Sequence, residues 1–145
     1  MTGFKDAYVA VFEVVQEILQ KQKELQQVIL DKDAKEIDSI DKLPMAIITM
    51  DETKATPTDG TVGYELKIPI VVVAIIVEYE KENWFDKMNV VMGEIVDALL
   101  DDVTLGGAVR DLVLSSYFPG KITLQDKVYR GGVIQFNATL DYTNS

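Results

Sequence analysis

The segment Tyr64–Glu80, YELKIPIVVVAIIVEYE, limits what this chain can fold into more than any other. In its first half Tyr64, Leu66 and Ile68 alternate with Glu65 and Lys67, the pattern of an extended strand with one wet face. From Ile70 to Val77 every position is apolar, which demands cover on both faces. One layer of helices covers only one face of a sheet. Val71, Val73 and Ile75 are therefore the candidates for contact with another subunit, on whichever side faces away from the helices. Pro69 cannot donate a ladder hydrogen bond, so a bulge or an edge position is expected where the pattern changes.

Around this strand the chain alternates periods. Apolar residues from Phe4 through Ala7, Tyr8, Val11, Val14, Val15, Ile18 and Leu19 follow the i, i+3, i+4, i+7 spacing of an amphipathic helix, with Thr2 as N-cap and Asp6 at its positive end. The period can be carried on through Leu25 to Ile29, which favours a longer helix over a separate extended piece. DKDAKEIDSIDK then reads as a polar linker. LPMAIITMDE is a strand entered through a proline, and TKATPTDGTVG an exposed loop or hairpin connection. A second helix carries Trp84, Met88, Val91, Ile95, Ala98 and Leu99 on one stripe. It runs towards Gly106 and Gly107, which are predicted to cap it in the left-handed conformation that glycine adopts without a Cβ penalty. VRDLVLSSYF leads into a third strand, bent at Phe118-Pro119-Gly120 and continued by KITLQD as an arm or bulged strand. YRGG is expected to turn the chain into VIQFNATLDYT, an alternating half-buried strand.

At 145 residues the chain fits one domain that buries about 68–70% of its unfolded surface, without disulfides or metals to hold it. It contains no cysteine and no histidine. Thiolate chemistry, the usual zinc sites, Ser-His and Cys-His nucleophile pairs and the commonest general base are thereby removed, and enzymatic activity is not expected. The formal charge of −10, from 24 acidic and 14 basic residues without a dense Lys/Arg block, argues against sequence-specific nucleic-acid binding. The longest apolar run is about half a membrane span, and the start of the sequence lacks the basic-then-apolar order of a signal peptide, so a cytosolic setting is expected.

Local motifs add little chemistry. DKDAKE from Asp31 approximates a calcium loop but has Lys35 and Glu36 where an oxygen ligand and a glycine are required. Glu78, Glu80 and Glu82 form an acidic surface patch, with nothing to split their pKa values for catalysis. Asn137-Ala138-Thr139 matches a glycosylation sequon without a secretory signal. Gly106-Gly107 lacks the Lys-Ser/Thr of a phosphate loop.

The succession of segments resembles the tail terminator proteins, also called tail completion or minor tail proteins, of long-tailed phages with non-contractile tails. LPMAIITMDETKATPT, YELKIPIVVVAIIVEY, LLDDVTLGGAV and YRGGVIQFNATLDY carry the likeness. It implies an α/β protomer of α+β type, with two main helices on one face of a four-stranded, mostly antiparallel sheet in the order α-β-β-α-β-β. Six such protomers would form a ring that binds the last ring of the major tail tube protein, ends its polymerisation and meets the head connector. DNA would pass through the ring without being held. Glu78, Glu80, Glu82, Asp101 and Asp102 are the candidates to line or rim a neutral-to-acidic bore. The resemblance further implies no cofactor, no metal and no membrane, assembly in the host cytoplasm, and a place at the head-proximal end of the virion tail. Two rivals remain open at this point: a head-tail connector or stopper protein of the same assembly, and a small ligand-sensing α+β module that dimerises through its sheet.

Overall fold

The computed structural model describes residues 3–31, 42–58 and 62–143. Helix α1 (Phe4–Gln20) buries Val11, Phe12, Val15 and Leu19 and carries Asp6 in its first turn. It stops at Gln20, where the side-chain amide of Gln22 donates to the Ile18 carbonyl (2.9 Å) and satisfies an orphan acceptor of the last turn. Strand β1 (Gln27–Leu30) follows, so the longer helix expected from the period does not form. The reason is tertiary: β1 pairs in parallel with β2 (Met45–Met50), sending Val28 and Leu30 to the main core and Ile29 to the opposite side. Most of the polar linker predicted from Asp31 to Lys42, and Thr2, lie outside the described residues.

Strands β3 (Lys54–Pro57), β4 (Gly63–Glu78), β5 (Asp111–Leu124) and β6 (Lys127–Thr143) complete a six-stranded sheet of order β1-β2-β4-β6-β5, with β3 beside β4. All pairings except β1–β2 are antiparallel. The fold is α+β with α1 and α2 (Trp84–Leu100) on one face, but the four-stranded expectation is corrected to six by β1 and β3. Pro69 owes its place to the break between β3, which ends its pairing at Lys67, and β2, which begins at Ile70. No strand flanks β4 on that side at Pro69, so no donor is missed there. The register shift in β4 comes later, between Ile75 and Val77.

The even positions Leu66 to Ile76 of β4 join Ile134, Phe136 and Ala138 of β6 and the buried stripes of both helices in the main core. The odd side carries a smaller cluster of Met45, Ile47, Ile75 and Tyr129. β5 and β6 form one long hairpin whose turn is Gln125-Asp126, at φ 51° and 65°. YRGG is therefore not a turn but the interior of β6. Its glycines are needed for contact: a Cβ on Gly131 would lie 1.9 Å from the Ala74 carbonyl oxygen, and one on Gly132 would lie 2.4 Å from that of Phe118. Two positive φ angles without glycine are costly in a two-residue hairpin loop. Asp126→Gly should raise stability by about 0.5–1 kcal/mol, read as a higher urea midpoint; an unchanged midpoint would mean the turn holds no strain.

Candidate assembly surface

The helix-free face of the sheet is divided by chemistry. At one end Arg110 bridges two strands: it donates to both carboxylate oxygens of Asp141 (3.1 Å each) and to Glu65 (2.8 Å). Lys67 reaches the Thr139 hydroxyl (2.9 Å) and lies 3.6 Å from Glu65. The hydrogen bond from Arg110, and then the charge of Lys67, hold the Glu65 carboxyl below its usual range, while Glu65 and Asp141 push Arg110 up. These groups face solvent, so the network fixes strand positions more than it adds stability.

Beyond a polar strip of Thr49, Gln135, Asn137 and Ser116, that face carries an apolar row. Strand register sets Ile29, Ile47, Val73, Val133 and Phe118 in one row across β1, β2, β4, β6 and β5. Of the three residues proposed from sequence, Val71 and Val73 are half-buried on this face. Ile75 is only 1% exposed, because Met45, Ile47 and Tyr129 of the same protomer already cover it. It is thus not available to a partner as the other two are.

The sequence placed β5 as a strand, continued by KITLQD as expected, but did not mark it as a contact surface. On this outermost strand Val113, Leu114, Tyr117 and Phe118 are all exposed, Phe118 at 71%. The signal was present in LVLSSYF, a run with large apolar residues on both parities and too few polar ones to give either face to water. A bulge between Leu114 and Ser116 and the imino acid Pro119 interrupt the outer row of backbone groups, so β5 offers side chains more than a free ladder.

The structure separates the acidic candidates. Glu78, Glu80 and Glu82 surround the β4–α2 turn, whereas Asp101 and Asp102 follow the far end of the 17-residue α2, roughly 25 Å away along its axis. Asp102 is engaged locally: one carboxylate oxygen accepts from the Gly106 amide (2.8 Å), the other from the Thr104 hydroxyl (3.1 Å). It holds the turn Leu105–Gly107, in which Leu105, Gly106 and Gly107 have φ of 48°, 67° and 92°. The glycines are left-handed, but α2 has already ended at Leu100, so they shape this separate turn and do not cap the helix. Asp102→Ala should cost about 1 kcal/mol and lower the unfolding midpoint by about 2–4 °C. No change in calorimetry would assign the turn to the buried Leu105 alone.

Beside the glutamates, Arg130 is sandwiched between the rings of Tyr79 and Trp84, 3.7 Å and 3.8 Å from their centroids, and its Nε donates to the Tyr79 carbonyl (2.9 Å). On the helical side, α1 and α2 border a groove of about 750 Å³ lined by Lys21, Val90, Gly93, Glu94, Asp97 and Asp101 among others. Among the described residues no helix is long and apolar enough to cross a membrane.

No family model matches the chain, and no curated protein matches it in sequence. Among solved structures, the fold is similar to that of the gp17 protein of bacteriophage SPP1, with a TM-score of 0.50 and 15% identity, over 98% of this chain and 96% of that one. At that identity the likeness is one of fold, and it extends over essentially the whole length of both proteins.

Proposed function

We propose that this protein is a structural component of a phage tail that closes the tail tube as a hexameric ring. In this reading the ring binds the last ring of the major tail tube protein, ends its polymerisation and offers its other side to the head connector, at the head-proximal end of the virion tail. The protein is not an enzyme and uses no cofactor; DNA passes through its bore unheld. The observation that carries the reading is the apolar side-chain surface left open by β5 and the helix-free face, with Phe118 at 71% exposure. A monomer would gain nothing from such a surface, whereas a ring of head-to-tail contacts requires one. The full-length fold likeness to a phage protein supports the same reading.

Native mass spectrometry of the protein with and without a tail tube protein tests it. A six-fold particle, formed alone or on the tube, and shorter tubes at higher protein-to-tube ratios are expected. A two-fold dimer, or a monomer with no effect on tube length, would overturn it.

A further inference from the structure

Helix α2 borders two surfaces of opposite character. At its N-terminal end Arg130 is fixed by rings on both faces of its guanidinium and by the Tyr79 carbonyl on Nε, while its terminal nitrogens form no ion pair among the described residues. Phe85, against Trp84 at 5.6 Å between ring centroids, is 61% exposed. Tryptophan, tyrosine and arginine are the side chains that most often anchor protein contacts, and a guanidinium held in place loses little freedom on binding a carboxylate. The glutamates of the adjoining turn, Glu78, Glu80 and Glu82, are accompanied by Lys81 and Lys127, with Lys121 over the Tyr79 ring, while Arg130 is the cation there whose guanidinium is held in a fixed direction.

Further along, α2 and the turn after it border the interhelical groove, from Asn89 to Asp102. Glu94, Asp97 and Asp101 line it and form no ion pair among the described residues, and Val90 beside them is 54% exposed. Gly93 stands in mid-helix on this groove, where an added Cβ would meet nothing within 4 Å. Glycine costs a helix interior about 1 kcal/mol relative to alanine, and no contact among the described residues accounts for it here.

We infer that these two surfaces join copies of the chain: the Tyr79–Arg130–Trp84 stack and Phe85 of one copy seat in the α1–α2 groove of the next, with Arg130 forked onto Asp97 or Glu94. The inference rests on the ring reading and deepens it by naming a contact on the helical side, in addition to the one expected from β5. Two different patches, one inserted and one receiving, make a heterologous contact, which closes as a ring when the rotation between copies allows. The bare backbone at Gly93 admits the aromatic edge, and Val90 gives it apolar cover.

The cysteine-free chain allows a direct test. Phe85→Cys and Gly93→Cys proteins, mixed and oxidised, should give a disulfide-linked dimer that neither gives alone. Arg130→Gln should raise the concentration for half-assembly about tenfold, with Arg130→Lys between it and the wild type, because lysine keeps the charge but not the fork. Emission of Trp84 should shift on assembly. Six-fold rings without the mixed disulfide, and insensitive to Arg130→Gln, would overturn this contact while leaving the ring reading intact. A Phe85→Cys homodimer would overturn it in favour of a two-fold contact. The mixed disulfide without any effect on tube length would uphold the contact and sink the tail function. Absence of both disulfide and assembly would overturn the contact.

Discussion

Gly131→Ala should destabilise the protein by about 3 kcal/mol or more. A methyl group there would sit 1.9 Å from the Ala74 carbonyl oxygen and 3.3 Å from the Ile75 Cα, and these belong to the central strand, which cannot yield without breaking its pairing with β2 and β6. Gly93→Ala is the matched control: with open space around its Cβ it should gain up to about 1 kcal/mol. Urea unfolding of the two variants measures both. Equal midpoints would mean that the β4–β6 contact relaxes far more easily than its geometry implies.

The largest effect on assembly is expected from Phe118→Asp. The side chain is 71% exposed in the protomer, so its replacement should leave the unfolding midpoint within about 2 °C of the wild type. In an assembly that covers β5, the loss of a buried phenylalanine, about 1.5–3 kcal/mol, is joined by the cost of burying a charge. The concentration for half-assembly should rise on the order of a hundredfold or more in sedimentation. Val73→Asp, half-buried at the centre of the same row, should weaken both folding and assembly. Wild-type assembly by the Phe118 variant would remove β5 from the interface.

Much of the fold was legible because long periodic segments carry their own instructions. Helix α2 lies where its apolar stripe placed it, and α1 does so from Phe4 to Leu19 but not through the extension to Ile29. The change from alternation to a continuous apolar run in Tyr64–Glu80 marked a strand with work on both faces. What escaped depended on partners distant in sequence. Val28 and Ile29 fit either period until β2 lies beside them, and Lys54–Pro57 becomes a strand only because the first half of β4 is free on that side. Gly131-Gly132 and Gln125-Asp126 exchanged roles for a related reason: the glycines answer a close approach of backbone that no local pattern encodes, and the turn formed without the residues that normally announce it. Of the candidate site, Val71 and Val73 were readable from parity, but the cover over Ile75 and the openness of β5 are set by how the hairpin curls across the sheet.

The bulge and Pro119 in β5 bear on how such a subunit survives before it is used. An outermost strand of 14 residues with four large apolar side chains in the open has the makings of a cross-β seed, because each added strand would present the same template to the next. Interrupting the amide row removes that route and leaves the hydrocarbon exposed. Attraction then requires a shaped counterpart instead of any extended chain. In the assembly proposed above, such a protomer would resist strand-on-strand stacking and still keep its side chains open to a matching surface.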